Sequence, residues 1–182
     1  MAQGLHRIRT GLPSSRLKID VTWRPRSSWN AARLLRRVAA HVACAEGFRR
    51  GRLTIVVVGR RAMTTLHRRY RGIAASTDVL SFDVDTDPKH GVLNADIVVC
   101  ADLARQRAAA RTLAASRAEL ALYVTHGILH LAGYDDHRPA DFRRMHARED
   151  ELLSELGLGP VFSRGTRAPP QSDEHSRDRR RG

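Results

Sequence analysis

The chain is poor in several residue types and patterns, and each scarcity excludes a class of protein. Its 182 residues contain only two cysteines, Cys44 and Cys100, which are too few for a disulfide framework and typical of a reducing cytoplasm. No stretch approaches the roughly 18 uncharged apolar residues that a membrane-spanning helix requires. The arginine-containing N-terminal residues include no apolar segment of the secretory kind. We therefore expect a cytoplasmic protein without a signal peptide or a membrane helix.

Patterns that would mark common enzyme classes are missing as well. The sequence has no internal repeat, no glycine-rich loop of the nucleotide-binding kinds and no nucleophile elbow. These absences disfavour a repeat protein, a nucleotide-dependent enzyme of those types and a serine hydrolase of the nucleophile-elbow type.

Lysine is also scarce, although the chain is strongly basic. Lys18 and Lys89 are the only lysines among 32 basic residues, and the formal net charge is +13. Codon bias in a GC-rich genome explains most of the preference for arginine, but it does not explain the sign of the net charge. Excess positive charge indicates a polyanionic partner, and guanidinium groups bind phosphate oxygens through paired hydrogen bonds. The composition favours a nucleic acid as partner without distinguishing RNA from DNA.

The hydrophobic pattern predicts one domain of mixed structure. An apolar content of 42% suits a single domain with a core. Periodicity predicts strands at 17–23, 53–58, 77–84 and 93–99, and helices that end near 46, 70, 112, 132 and 156. We predict a single α+β domain in which a mostly four-stranded sheet is packed with helices around a central metal-binding helix. The predicted boundaries are a flexible extension at 1–16, the domain at 17–158 and a disordered basic tail at 159–182.

Two details of this prediction concern neighbouring elements. The third and fourth strands are separated by a short link, so we expect them to pair as a hairpin. The first helix follows two serines, and Ser27 or Ser28 is the expected cap at its N-terminus.

Two histidines four residues apart form the most informative feature of the chain. His126 and His130 lie in an apolar run, 120–132, and a helix would project both imidazoles from one side. This spacing suits two nitrogens on one metal ion. Gly133 follows as the expected end of the helix, so the chain can turn back towards the same ion.

The turn after the glycine supplies candidates for a third ligand. Asp135, Asp136 and His137 follow in succession, and any of them could reach the ion. Two buried imidazoles without partners would be costly, so the carboxylates beside them strengthen the prediction of a metal site. Three protein ligands leave one coordination position for water, which is the arrangement of a catalytic site rather than a structural one.

The same stretch overlays a pattern found in zinc proteases, with one decisive difference. The spacing His-x-x-x-His-x-x-Gly-x-x-Asp runs from His126 to Asp136. In the proteases a glutamate follows the first histidine and acts as the general base, whereas this chain has Gly127 there. A protease of this type is therefore disfavoured.

Three motifs together resemble one known family. The segment 126–135, His-Gly-Ile-Leu-His-Leu-Ala-Gly-Tyr-Asp, resembles the signature of the YbeY family of metal-dependent endoribonucleases. Upstream, Tyr-Arg-Gly at 70–72 with Thr-Asp-Val-Leu-Ser-Phe at 77–82, and Asp-Ile-Val at 96–98, resemble two further motifs in the family's order. The resemblance covers roughly residues 17–157.

This resemblance implies both an activity and partners. The implied function is zinc-dependent, single-strand-specific cleavage of RNA in ribosomal RNA processing, including maturation of the 3′ end of the small-subunit RNA. It also implies one Zn²⁺ per chain, and ribosomal RNA and the small ribosomal subunit as partners.

The chain departs from the family at the third ligand. The family places a third histidine directly after Gly-Tyr-Asp, where this chain has Asp136, followed by His137. Met145 lies at the usual distance of the family's methionine from Asp136, which favours Asp136 over His137 as the ligand. Zinc accepts carboxylate oxygen as readily as imidazole nitrogen. Two smaller departures are His67, where the family often has Asn, and Ala95, where it often has Gly.

The resemblance also assigns roles around the ion. Arg71 matches the motif arginine and would stabilise negative charge in the transition state, the alternative being a salt bridge with Asp78. Apart from the resemblance, Ser81 would hydrogen-bond the substrate together with Arg71. Asp135, beside the ligands, would orient a ligand or act as a general acid or base. The predicted catalytic residues are Arg71, His126 and His130.

Two other functions stay open at this point. One is a zinc hydrolase of small or peptide substrates, which Gly127 disfavours. The other is a non-catalytic, ribosome-associated factor whose metal only stabilises the fold, which a closed site with both Asp136 and His137 bound would support. The metal is open too, since histidine and carboxylate ligands also bind iron, nickel or manganese.

Overall fold

The computed structural model describes residues 16–27 and 29–164. Within these ranges the chain forms four strands, one short 3₁₀ turn at Pro88–His90 and six helices. In chain order the elements are β1 (Arg16–Trp23), α1 (Ala32–Ala45), β2 (Arg50–Val58), α2 (Arg60–Arg71), β3 (Val79–Asp83), β4 (Val92–Cys100), α3 (Ala101–Arg107), α4 (Leu113–Leu131), α5 (Pro139–Glu155) and α6 (Val161–Arg164).

The four strands form one mixed sheet in the order β1-β2-β4-β3. Strands β1, β2 and β4 are parallel, and β3 runs antiparallel to β4 at the edge. The β3–β4 pair is the hairpin predicted from the short link, and the link is ordered by Asp87, whose side chain accepts the His90 backbone N–H. The predicted α+β class with a four-stranded sheet is confirmed.

Helices cover both faces of the sheet. Helices α1 and α4 pack on one face, where the larger hydrophobic cluster includes Leu35, Ile55, Ile97 and Leu120. The opposite face carries a smaller cluster around Met63 of α2. Alternate residues of the central strands supply the two clusters because successive strand side chains point to opposite faces.

Helix α4 lies at the centre of the molecule. It packs on β3 and β4 and is surrounded by α1, α3, α5 and α6. Its residues from Glu119 to Thr125 are all buried, which a helix that is apolar on nearly every face requires. Thr112 caps its N-terminus by accepting the backbone N–H of Ala115 at 3.1 Å, so the helix begins three residues before the predicted start at Ser116.

Some predicted boundaries differ from the structure. Helix α1 begins at Ala32, and the side chain of Asn30 accepts the Ala32 N–H at 2.8 Å, so Ser27 is not the cap. Ser28, the other predicted cap, lies outside the described residues. Helix α3 ends at Arg107 instead of continuing to 112.

The described fold also continues beyond residue 158. Helix α6 lies within the segment 159–182 that was predicted to be disordered, and it packs against α4 and α5. The flexible extension predicted at 1–16 falls almost wholly outside the described residues, and so do 165–182 of the tail. Among the helices in the described ranges, none combines the length and the apolar character needed to cross a bilayer.

Candidate metal centre and its cavity

Three side chains converge where helix α4 ends. The Nε2 atoms of His126 and His130 lie 3.0 Å apart. The Asp136 carboxylate approaches both rings, with oxygens 3.9 Å from Nε2 of His126 and 4.0 Å from Nε2 of His130. Gly133, with a φ of +97°, allows the chain to reverse after α4 and return Asp136 to the histidines.

The hydrogen-bond partners of the Nδ1 atoms determine which nitrogen of each ring carries the hydrogen. Nδ1 of His126 lies 2.7 Å from a carboxylate oxygen of Glu149, and Nδ1 of His130 lies 3.1 Å from the Tyr134 carbonyl. Both oxygens can only accept, so each Nδ1 donates its hydrogen and each Nε2 of a neutral ring carries a lone pair. The two Nε2 atoms and the Asp136 carboxylate therefore face one another, an arrangement that either a proton shared by the two rings or a cation bound between them stabilises.

The spacing of these atoms fits a divalent metal. A tetrahedral ion bound at about 2.1 Å separates its ligand atoms by roughly 3.4 Å. The observed separations of 3.0, 3.9 and 4.0 Å bracket that value. Neutral imidazole nitrogens and one carboxylate are also the donor set of catalytic zinc sites. The residues present therefore fit the predicted ion without any change in the fold.

The two neighbours of Asp136 pair with each other on the exposed side of the turn, although the ring of His137 also lies 3.7 Å from an Asp136 oxygen. The imidazole of His137 is 84% exposed and is hydrogen-bonded to the Asp135 carboxylate. Asp135 also accepts the backbone N–H groups of Asp136 at 2.8 Å and His137 at 3.2 Å. Asp135 thus orders the turn that presents Asp136. The hydrogen bonds of Asp135 are made to residues of this turn and not to either α4 histidine.

Helix α5 contributes two residues that the sequence analysis missed. Glu149 is fully buried, and its carboxylate binds Nδ1 of His126 at 2.7 Å and Nδ1 of His146 at 2.6 Å. His146 is nearly buried and stacks on Phe162 of α6 at 3.6 Å between ring centroids. The only local signal was the spacing of His146 and Glu149, which places both on one face of a helix.

The pKa values of the two histidines are shifted in opposite directions by their surroundings. Burial lowers the pKa of His126, but the hydrogen bond and charge of Glu149 outweigh it and leave the pKa raised. Burial and the charge of His126 lower the pKa of His130, so the second ring tends to be neutral. Burial raises the pKa of Glu149, but its two histidine partners leave it lowered, so Glu149 is an anion.

The cluster opens onto a cavity of about 780 Å³. His126, Asp136 and Glu149 line one part of it, and the aromatic rings of Phe142 and Phe162 line another. Two arginines, Arg107 and Arg164, also lie on its wall. The volume falls within the roughly 300–1,000 Å³ typical of ligand pockets.

A charged pair stands on the cavity wall beside the cluster. Arg107 forms a salt bridge with Asp78, and both line the cavity. Burial raises the pKa of Asp78, but Arg107 and nearby hydrogen bonds leave it lowered, so the carboxylate is ionised. The hydroxyl of Tyr123 is buried on the same wall, and no described residue gives it a hydrogen bond of normal geometry. The salt bridge considered for Arg71 is therefore formed by Arg107 instead.

Comparisons with known proteins identify the family of the chain. A profile of the family described as Endoribonuclease YbeY matches residues 20–157. An Endoribonuclease YbeY from Anaeromyxobacter sp. (strain Fw109-5) is 45% identical over 134 residues, covering 74% of this chain and 69% of the relative. Another from Anaeromyxobacter dehalogenans (strain 2CP-C) is 43% identical over 138 residues, covering 75% and 71%. The chain belongs to the YbeY family.

A solved structure supports the same fold. The solution structure of TM1509 from Thermotoga maritima aligns with a TM-score of 0.53 at 23% identity, covering 87% of this chain and 99% of the other. At that identity the likeness shows the fold alone. The predicted family is confirmed, and the site residues can now be considered within the YbeY fold.

Gly127, the family's residue between the two histidines, lies against the sheet. A Cβ at this position would be 2.8 Å from the Ser81 hydroxyl and 3.1 Å from a terminal methyl of Ile97. A glutamate there would enter the interface between helix and sheet, so a protease-type base has no room. Ser81 itself is half-buried in this interface and is not among the residues that line the cavity.

Arg71, the motif arginine of the YbeY family, ends helix α2. It is exposed, and Gly72 in the left-handed region (φ +73°) caps the helix directly after it. The following loop leads to Asp78 on the cavity wall, but Arg71 is not one of the residues that line the cavity. Its catalytic role stays a prediction.

Proposed function

We propose that this chain is a metal-dependent endoribonuclease that cleaves single-stranded RNA in ribosomal RNA processing. The observation that carries the proposal is the convergence of His126, His130 and Asp136 beside a large cavity, on whose wall His126 and Asp136 lie. Membership of the YbeY family, whose curated members are named endoribonucleases, supplies the substrate class. We further propose that the ion is zinc, that the target is the 3′ end of the small-subunit ribosomal RNA, and that the small ribosomal subunit is a partner.

In this proposal His126, His130 and Asp136 hold a divalent cation. When bound, such an ion acidifies a coordinated water or polarises a phosphoryl oxygen, which lowers the barrier by several kcal/mol. Glu149 and the Tyr134 carbonyl hold the Nδ1 hydrogens of the two rings, so that both Nε2 atoms face the ion. The exposed side of the cluster is left for substrate.

Arginine side chains stabilise the phosphate in this account. Arg107 uses one terminal nitrogen for Asp78, and a guanidinium has five N–H donors, so others remain for a phosphate oxygen. Arg71, which matches the family's motif arginine, is proposed to bind the RNA backbone from the end of α2. Ser81 is proposed to hydrogen-bond the substrate, although it does not line the cavity. Negative charge that gathers on the phosphate in the transition state is then met by fixed positive charge.

The shape of the site favours single strands. A cavity of about 780 Å³ has room for a nucleotide turned out of its stack. Two of the proposed ligands, His126 and Asp136, lie on its wall. A paired base in an A-form helix cannot enter such a pocket without unstacking. Proteins that read single-stranded RNA commonly hold unstacked bases against aromatic rings, and Phe142 and Phe162 line the same cavity.

The alternatives have less support. A peptide hydrolase needs a base at Gly127, which packs against Ser81 and Ile97. A non-catalytic, closed metal site needs His137 as a fourth ligand, and that ring is bound to Asp135 on the exposed side of the turn.

Cleavage of a labelled RNA oligomer tests the proposal. Purified protein should cut the single strand, lose activity on chelation, regain it when Zn²⁺ is restored, and leave the matching duplex and DNA intact. The variant His126→Ala/His130→Ala should lose at least about 100-fold in rate, since about 3 kcal/mol of barrier lowering is removed. His41→Ala, whose ring binds Glu155 on the surface, is the matched control and should keep full activity. Activity that survives chelation or the double variant would contradict the proposal.

A further inference from the structure

We propose that Glu149 is a positioning residue of the metal centre. Its carboxylate holds His126 with Nε2 turned towards the ion, and His146 in turn holds the carboxylate, so the pair sets how tightly the metal binds. This inference rests on the proposed metal site and concerns residues outside the three ligands.

The geometry assigns one oxygen to each histidine. One carboxylate oxygen lies 2.7 Å from Nδ1 of His126, and the other lies 2.6 Å from Nδ1 of His146. His126 belongs to α4 and the other two residues belong to α5, so the carboxylate joins the two helices at the metal site. A carboxylate behind a metal-binding histidine fixes its tautomer and its orientation and raises its basicity.

Burial makes this arrangement specific. Glu149 has no exposed surface, and His146 is 7% exposed. A carboxylate in such a place is costly unless its oxygens are hydrogen-bonded, and two imidazole donors meet that need. Its position is also defined, because His146 is fixed between Phe142, at 4.1 Å between centroids, and Phe162, at 3.6 Å. The ring of His126 therefore has one preferred orientation before any metal arrives.

The same three residues could in principle bind a second ion, since His126, His146 and Glu149 also cluster closely. The distances argue against it. Separations of 2.6 and 2.7 Å are those of charge-assisted hydrogen bonds, whereas a tetrahedral ion would hold its ligand atoms roughly 3.4 Å apart. We therefore expect one ion per chain, with Glu149 behind it.

Metal affinity of the full chain, measured with Zn²⁺ against a competing chelator, tests the role of Glu149. Glu149→Gln keeps the shape but offers a single oxygen acceptor, and we expect Zn²⁺ to bind about 10–100-fold more weakly. The matched control is Glu155→Gln, the same exchange on the same helix at a residue that also binds a histidine, His41, on the surface. It should leave the affinity within about twofold of the wild type.

A spectroscopic readout separates positioning from general stability. In protein loaded with Co²⁺, the visible absorption bands depend on ligand geometry. Glu149→Gln should shift or weaken these bands, whereas Glu155→Gln should leave them unchanged.

A third variant tests the contribution of His146. His146→Phe keeps a ring against Phe162 but removes the donor to Glu149, and we expect Zn²⁺ affinity to fall by roughly threefold to tenfold. The double variant His146→Phe/Glu149→Gln should bind no more weakly than Glu149→Gln alone, because both changes act through one carboxylate.

The results that would contradict the positioning role of Glu149 differ from the result that would contradict the proposed function. Wild-type affinity and bands in Glu149→Gln, additive losses in the double variant, or two ions per wild-type chain would each overturn the positioning role. If Glu149→Gln does not fold, the Zn²⁺ affinity of His146→Phe tests the positioning role instead. An unchanged Zn²⁺ affinity in that variant would overturn the role. A wild-type chain that takes up no metal would instead refute the proposed function.

Discussion

Each histidine of the pair has one nitrogen committed to an oxygen of the protein. Nδ1 of His126 donates to Glu149 and Nδ1 of His130 donates to the Tyr134 carbonyl, so both Nε2 atoms face the Asp136 carboxylate. Sequence spacing alone predicted the shared face of the two rings. It could not predict which nitrogen faces inward, because that depends on partners from the following turn and from α5.

The proposal of Asp136 rather than His137 as the third ligand rests on local contacts of single residues. Asp135 accepts two backbone N–H groups and binds the His137 ring, which keeps that ring on the solvent side of the turn. The Asp136 oxygens lie 3.9 and 4.0 Å from the Nε2 atoms of the two α4 histidines, and one of them lies 3.7 Å from Nδ1 of His137. A carboxylate at the place of the family's third histidine keeps the ligand count at three and adds one negative charge.

We expect the two residues to differ sharply when each is replaced. Asp136→Ala removes a ligand and should weaken Zn²⁺ binding by at least about 100-fold, beyond the roughly 10–100-fold loss typical of outer partners. His137→Ala should change it by less than about threefold. Isothermal titration of the apoprotein measures both. A larger loss in His137→Ala than in Asp136→Ala would assign the third ligand to His137 instead.

At the scale of elements, the close packing of helix α4 on strands β3 and β4 depends on one glycine, Gly127. A Cβ on Gly127 would lie 2.8 Å from the Ser81 hydroxyl and 3.1 Å from Ile97. The glycine therefore allows α4 to approach β3 and β4 closely, and the sequence analysis recognised it only as a missing catalytic base. Its packing role depends on the tertiary contact between helix and sheet.

Placing a glutamate at this position should damage the fold without creating a protease. Gly127→Glu forces a charged side chain into an apolar interface, and we expect the free energy of unfolding to fall by roughly 3 kcal/mol or more. Urea denaturation measures the change. Ala114→Glu, at an exposed position in the first turn of the same helix, is the control and should stay within about 0.5 kcal/mol of the wild type. Wild-type stability in Gly127→Glu would contradict the packing described.

Elements with strong periodicity were predictable, and contacts between distant elements were not. The four strands and the central helix follow from local hydrophobic patterns, with ends displaced by up to three residues. Glu149 escaped prediction because it lies 23 positions from His126 and meets it only when α5 packs on α4. Ser27 was wrongly predicted as the cap of α1, because Asn30, whose side chain can serve the same function, lies nearer to the start of the helix.

At the scale of the whole molecule, charge and cavity point to the same class of ligand. A net charge of +13 attracts polyanions over a distance, although it does not select among them. Selection is proposed to come from the cavity, where Arg107 and Arg164 share the wall with the metal cluster. The family motifs supplied the expectation of RNA, which composition alone could not give.

The account depends on a divalent cation held at the end of α4, and a crystal structure of the zinc-loaded protein with anomalous diffraction data tests it most directly. We predict one anomalous peak per chain, within roughly 2.0–2.3 Å of Nε2 of His126, Nε2 of His130 and an oxygen of Asp136. His137 should lie outside the coordination sphere. A peak bound by Asp135 and His137, or no peak at the histidine pair in protein that has been supplied with zinc, would contradict the account.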